Sequence, residues 1–528
     1  MVYLHTGYMI TPLGEGIAAN LKAVQEGKTC LCMHSNVHGE TLVEPVMASL
    51  LDEERYKIEG FTLFESLCIH AINGAKASTT LNLQDEHCIF ILSSTKGDIW
   101  ESMATSAKRI SSWFGNPNQP IVVSTACTSG VSAQVAAWRL LDNTRYTTAV
   151  IVGCDVQSEF IVSGFQSFHA LSNAKCAPFD KERDGLNAGE AAVCMILSTQ
   201  PSPEGWTLQG GSIHNDANHI SGPSRTAEGS LRCLNDALEL IPVDDLAVVS
   251  VHGTGTVYND EMESIALHRA GLDTIPVTAL KGNYGHTMGA AGLLETLLTL
   301  YALEQGIILP TKGYHQQGTT WPVAVSTQIR HTNRTSFIKL LSGFGGVNAA
   351  VVWTKQKTWH SVAEITLTPP TDLTAIYRQK VNAYPKFFKM DLMSKLGFLG
   401  VECLLEKVRE IEPGFTFDTE HTALIVASRS ASLKNDRDYW NTIQDKQNYF
   451  PSPSLFVYTL PNIVAGEIAI RHHLMGETSC YVLPDEQALE PILNSFMSTT
   501  KAHQLLIAWV ECETDEKYNA HIRLLIKK

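Results

Sequence analysis

Short apolar runs of strand character alternate with helical patterns through the first 353 residues, and this alternation constrains the fold more than any other feature of the chain. CIFILSS (88–94), IVVSTA (121–126), AVIVGCDV (149–156), LAVVSVHGTG (246–255) and NAAVVW (348–353) are apolar at consecutive positions. A strand wetted on one face alternates apolar with polar residues, whereas an unbroken apolar run is covered on both faces. Between these runs, ESMATSAKRISSWF (101–114) and GLLETLLTLYALEQG (292–306) read as helices. The expectation is an α/β layered fold with buried, largely parallel strands.

The pattern breaks after NAAVVW. The stretch TKQKTWHSVAEITLTPPTD (354–372) is polar and ends in Pro369-Pro370, which places a first domain at 1–355, a linker at 356–372 and a second domain at 373–528. The second domain reads as helices at 391–408 and 461–474 with strands at 422–428 and 505–511. HCIFILSSTKGDI (87–99) is mirrored there by HTALIVASRSASL (421–433), and AVIVGCDV near 150 by LLIAWVEC near 507. The tail therefore reads as a degraded copy of the front half of the first domain, although two apolar strands behind helices also match by chance.

Composition narrows the classes of function. With 44% hydrophobic and 18% charged residues, a chain of 528 residues can bury a large core, and its formal charge of −14 argues against broad contact with nucleic acid or anionic membranes. No apolar run reaches membrane-spanning length, and MVYLHTGYMITPLGEG at the start reads as strand and turn rather than a leader. The twelve cysteines show neither zinc nor disulfide-framework spacing, which fits reduced thiols in a cytoplasmic protein.

Chemistry concentrates in three stretches. In VSTACTSGVSAQ (123–134), Cys127 stands between an apolar strand and a helix, followed by small residues. Read alone, it is either a buried structural thiol or a nucleophile whose thiolate and oxyanion are stabilised by the helix N-terminus. VHGTGTVYNDEMES (251–264) places His252 at a strand end before a glycine-rich loop carrying Thr254 and Thr256. LKGNYGHTMGAAGLLETL (280–297) carries Lys281, His286 and Glu295, and LSGFGGVNAAVV (341–352) carries Phe344 and Asn348. Each has a bland reading as a turn histidine, a solvated lysine or a turn-forming glycine; their joint order does not.

Taken together, TACTSG, HGTGT, the K-x-x-x-G-H run, GFGG-x-N and APFDKERDGLNAGEAA (177–192) make residues 1–353 resemble the β-ketoacyl-acyl-carrier-protein synthases, decarboxylating condensing enzymes of the thiolase superfamily. The resemblance implies a thiolase-like layered α-β-α-β-α fold, with the tail a smaller α/β domain like half of one. It implies an acyltransferase in which Cys127 accepts an acyl chain and His252 and His286 stabilise the enolate of a malonyl thioester. Lys281 would orient His286 and balance Glu295. The N–H groups of Cys127 and Phe344 would form the oxyanion hole, and Phe344 would gate the acyl pocket. Thr254, Thr256 and Asn348 would play supporting parts, and Asp180, Arg183 and Asp184 would hold a nearby loop. No metal or redox cofactor is required. The implied partners are acyl carrier protein in acyl and malonyl forms, and a second subunit in a homodimer or in a heterodimer with another synthase-like chain.

Two departures from the family matter. The synthase portion is compact, with the missing length before Cys127, which leaves substrate length and shape open. In the tail, SCYVLPDEQALEP (479–491) stands where a nucleophile turn belongs; the place of Cys127 falls at Leu483–Asp485, and Cys480 comes a few residues early. A catalytically dead partial copy is the expectation. A thiolase fits poorly, because no second cysteine occupies a glycine-rich C-terminal loop. A chain-length-factor-like partner subunit fits the tail better than the whole, since Cys127, His252 and His286 are all present. The pathway, fatty acid or specialised polyketide or aryl-polyene synthesis, stays open.

Overall fold

The computed structural model describes residues 1–527 apart from 203, 220–221, 356–358, 382, 446, 448 and 450. It contains two compact units, residues 1–356 and 357–528.

In the first unit one sheet runs in the order Val277–Thr278, Leu246–Ser250, Ser336–Gly343, Val347–Lys355, Trp206–Asn215, Val2–Thr11, Ala191–Ser198, Thr148–Asp155, Cys88–Ser93 and Ile121–Val123. It consists of two five-stranded halves. Numbered along each half, the strands lie in the order 3-2-4-5-1, with strand 5 running opposite to the other four. The halves meet where Val2 pairs with Leu208. The expectation of largely parallel strands is thus corrected to a mixed sheet. Ser336–Gly343 and Val347–Lys355 form a hairpin whose turn places Gly345 (φ +86°) and Gly346 (φ +71°) in the left-handed region, so strand direction reverses there without a crossover helix.

Strand burial on both faces creates the layers. In Cys88–Ser93, Ile89 and Ile91 pack inward with Val131, Val135, Leu293 and Leu297 of two central helices, Ser129–Asn143 and Ala291–Glu304. Cys88, Phe90 and Leu92 pack outward against the helix Leu63–Lys76. The second half repeats this, with Val248 and Leu341 inward, and Val249 and Leu340 outward beside Leu234 and Leu267. The result is the α-β-α-β-α layering.

The two central helices approach through glycines. A Cβ at Gly292 would lie 2.5 Å from Val131 N and 2.7 Å from Gly130 C, and one at Gly130 would lie 2.9 Å from Gly289 O. This approach brings the start of one helix, just after Cys127, beside the start of the other, just after His286. Gly292→Ala should therefore cost about 1–3 kcal/mol by overpacking against backbone. Calorimetry should show a melting temperature lowered by several degrees; an unchanged one would contradict the close approach.

The second unit is a five-stranded sheet ordered Thr478–Val482, Thr422–Ser428, Gln504–Thr514, Lys517–Lys527 and Trp359–Leu367, again 3-2-4-5-1 with the same directions. It repeats the strand order of each half of the sheet in the first unit. The expected linker needs correction: 356–358 lie outside the described residues, and from Trp359 the chain is a strand paired with Lys517–Lys527. The polar character that suggested a linker is the wet side of a strand that buries Ala363 and Leu367.

Candidate active site

A strained turn presents the Cys127 sulfur. After the strand Ile121–Val123, Ala126 takes φ +52°. The turn is tied by Ser129 Oγ, which accepts from Thr125 N (2.9 Å) and donates to Ala126 O (2.6 Å), and by Thr128 Oγ1 donating to Thr125 O (2.6 Å). A non-glycine residue in that region persists only where its surroundings hold it.

Two histidines face the sulfur. The ligand atoms of Cys127, His252 and His286 all lie within 4.8 Å of one another, and the imidazole rings meet edge to face at 5.0 Å. Met288 N, at φ +50°, donates to His286 Nδ1 at 3.2 Å. That bond fixes the tautomer with the proton on Nε2, and Nε2 is buried without a protein partner on a ring that lines the cavity. The Met288 amide, rather than Lys281, is what orients this ring. Lys281 donates to His252 O (2.6 Å) and to Glu295 (2.8 Å), so its charge is balanced by Glu295 while its positioning acts on His252.

Carboxylates pin the surrounding loops. Glu263 accepts from the backbone N–H of His252 and Gly253, both at 2.7 Å. Asp260 accepts from Thr254 N (3.0 Å) and Phe179 N (2.7 Å). Both project from the helix Val257–Arg269 that follows the HGTGT loop. Asp155 ties the loop after Cys88–Ser93, through Ser94 Oγ (2.7 Å) and Thr95 N (3.0 Å), to the histidine turn through Gly289 N (2.6 Å). None of the three was singled out in the sequence; the available signal was a carboxylate at the end of an apolar strand or one helical turn past a glycine loop. Asn348 holds the GFGG loop, accepting from Ser230 and Ser342 (2.7 Å each) and donating to Asp216 (3.1 Å). Arg183 bridges Asp180 O (2.9 Å), Gly318 O (2.8 Å) and Val257 O (3.2 Å) in a structural arrangement, whereas Asp184 lines the cavity.

Two cavities reach Cys127. One, of about 480 Å³, is lined by His252, His286, Thr254, Thr256 and Phe344. The other, of about 650 Å³, is lined by Phe160, Ile161, Phe165, Phe168, Met288 and Phe344. Phe344, 42% exposed, touches both and packs its ring against Phe168 at 5.5 Å. A Cβ at the preceding Gly343 would lie 3.2 Å from Cys127 N, so the GFGG loop runs against the cysteine turn.

Electrostatics differ from the expected standing thiolate. Burial pushes the Cys127 thiol up to about 11, with Lys281 pulling the other way. A helix N-terminus is worth about 1 kcal/mol, under one pH unit, too little to reverse that burial. Burial and the Lys281 charge hold His252 and His286 well below the usual imidazole range. The resting site is thus a thiol between neutral imidazoles, and the proton must leave as sulfur attacks. Because the ionised fraction rises with pH, iodoacetamide alkylation of Cys127 should accelerate about tenfold per pH unit from 7 to 9. A rate already level at pH 7 would show a standing thiolate.

The tail's register locates its counterpart of Cys127. His87 and His421 each hold an aspartate, Asp85 and Asp418, through both N and Nδ1. Five residues on, Leu92 pairs with Val122 and Val152, and Val426 pairs with Cys480 and Ala508. Cys480 thus stands in the place of Val122, mid-strand; the paired residues end at Val482, and counting on by the five residues that separate Val122 from Cys127 reaches Asp485. Asp485 Oδ1 accepts from Ala488 N at 2.9 Å, capping the turn. Glu511 reproduces Asp155, accepting from Ser428 Oγ (3.2 Å), Arg429 N and Ser430 N (3.1 Å).

Comparison with known proteins agrees with this geometry. The profile for the beta-ketoacyl synthase N-terminal domain matches residues 67–202, and that for its C-terminal domain matches 207–315. Nodulation protein E of Rhizobium leguminosarum bv. trifolii is 29% identical over 262 residues, covering 47% of this chain and 65% of that protein. The 3-oxoacyl-[acyl-carrier-protein] synthase 2 of Mycobacterium leprae is 29% identical over 251 residues, covering 43% and 59%. These two alignments span less than two thirds of each relative. Among solved structures, the ketosynthase ApeO in complex with its chain length factor ApeC from Xenorhabdus doucetiae has a TM-score of 0.60 at 21% identity, covering 67% of this chain and 98% of that one. The ishigamide ketosynthase/chain length factor has a TM-score of 0.61 at 22% identity, with the same coverage. Over about two thirds of its length the chain shares the fold of these two solved structures. Residues 67–202 and 207–315 thus match the two domains of the beta-ketoacyl synthases in order.

All twelve cysteines are free, and among the described residues no helix is long and apolar enough to cross a membrane.

Proposed function

We propose that the protein is a β-ketoacyl-acyl-carrier-protein synthase, catalysing decarboxylative condensation of an acyl thioester with malonyl-carrier protein. The observation that carries this reading is Cys127 beside two neutral imidazoles, one with its Nε2–H unpartnered on the cavity wall. Cys127 Sγ attacks the acyl thioester carbonyl, a neighbouring imidazole takes its proton, and the carrier thiol leaves with that proton. The malonyl group then loses CO2, and the electron pair of the broken C–C bond becomes an enolate whose oxygen accepts from the two histidines. The enolate carbon attacks the acyl-Cys127 carbonyl, and collapse releases the β-ketoacyl product and the cysteine sulfur, which is reprotonated. Cys127 N and Phe344 N serve as the oxyanion hole. Phe344, touching both cavities, separates an acyl side lined by Phe160, Ile161 and Met288 from a carrier side lined by Thr254 and Thr256.

The acyl and malonyl forms of a carrier protein are the partners this chemistry needs. A second synthase-like subunit fits the paired assemblies among the structural neighbours. The tail serves as a non-catalytic partial copy for pairing or scaffolding, supported by Asp485 at the cysteine register. Fatty acid and specialised polyketide or aryl-polyene pathways both fit the acyl cavity. The test is intact-protein mass after incubation with a panel of acyl-carrier thioesters: one acyl group should be added on the peptide bearing Cys127, and absence of any adduct would overturn the reading.

A further inference from the structure

Lys339 lies within SFIKLLSG on the strand Ser336–Gly343 and is fully buried. A lysine in a strand covered on both faces costs several kcal/mol unless its charge is paired. Its Nζ lies 2.5 Å from Glu295 Oε2, 2.9 Å from Val251 O and 3.2 Å from Ser250 O. Lys281 takes the other Glu295 oxygen and the next carbonyl, that of His252. Two ammonium groups therefore share one carboxylate and grip three consecutive carbonyls that end at His252. Glu295 is the one carboxylate that both ammonium groups reach, so whenever Glu263 is protonated a net positive charge is buried beside the imidazoles.

We propose that Lys339 is a second cationic positioning residue of this site, which locks the backbone ahead of His252 and, with Lys281, keeps both imidazoles unprotonated. This rests on the condensing-enzyme reading for its catalytic meaning. The charged groups facing Lys339 come from three elements: Glu295 from the helix Ala291–Glu304, Glu263 from the helix Val257–Arg269, and Lys281 from its helical turn. Burial brings Lys339 down to about 8 and Glu263 up to about 7. The sign follows. Below pH 7 Lys339 is charged and Glu263 takes up a proton, so the cluster is most positive where the imidazoles would otherwise protonate. Above pH 8 Lys339 loses its charge, but by then the imidazoles are neutral without it.

The test is Lys339→Met in the full chain, which removes the charge at nearly constant volume. Two readouts apply: histidine 15N NMR titration, and the pH profile of CO2 release from malonyl-carrier protein. Both imidazoles should titrate about one pH unit higher, and the acid limb of the profile should move by the same amount. Histidine titrations that stay put in a folded variant with a lower melting temperature would overturn the proposal, leaving Lys339 merely structural. If the variant does not fold, the lysine 15N signals of the natural protein decide: a charged Lys339 Nζ at pH 6.5 supports the proposal and a neutral amine overturns it. The histidine titration requires no turnover. A shift without CO2 release would therefore count against the condensing reading and not against the charge assignment.

Discussion

Cys127→Ala is expected to abolish acyl loading, lowering condensation by at least about 10³-fold, while leaving the melting temperature nearly unchanged. The side chain is partly exposed at the meeting of two cavities, so removing its sulfur opens no sealed void. The turn is held by Thr125, Thr128 and Ser129 rather than by the thiol. Intact-protein mass spectrometry checks this. Loading should not move to Cys480, which sits mid-strand at the register of Val122, five residues ahead of the capped turn at Asp485. An adduct that persists on another cysteine would remove Cys127 from its role.

His286→Ala should separate the two half-reactions. Its Nε2–H is the donor left unpaired at the cavity, and losing one preorganised donor from a developing oxyanion costs about 10²–10³ in rate. Release of CO2 from malonyl-carrier protein should fall by that factor. The acyl adduct on Cys127 should still form, because His252 remains within reach of the sulfur. Equal loss of both steps would show that His286 is the base for Cys127 rather than a donor to the enolate.

The parts of the site legible in the sequence were those where chemistry dictates residue type. A cysteine before small residues, histidines flanking glycine loops and a glycine-rich turn all announce themselves, and the structure gathers them around one pair of cavities. The supporting charges were not legible, because what defines Asp155, Asp260, Glu263 and Lys339 is a partner far away in sequence. Lys339 did leave a trace: a charge in the middle of SFIKLLSG has no place in a strand buried on both faces unless something pairs it. In the fold, apolar runs marked the strands correctly but not their directions. Direction depends on connection length, and the turn Phe344–Gly346 is too short for a crossover. The strand Trp359–Leu367 escaped because only Ala363 and Leu367 are buried in it, which reads as polar until its partner Lys517–Lys527, far along the chain, is in place. The repeat between 87–99 and 421–433 was visible in the sequence as similarity; the ladder registers turn it into a residue-by-residue correspondence within the strands, from which counting on reaches Asp485.

The most direct measurement follows the carrier rather than the protein itself. Protein acylated on Cys127, freed of excess donor, is mixed with malonyl-carrier protein, and both are read by intact mass. Condensation predicts that the acyl adduct leaves the protein while the carrier loses CO2 and gains the acyl group as a β-ketoacyl thioester. A carrier that stays malonylated, or that decarboxylates to acetyl while the acyl group remains on Cys127, would contradict it.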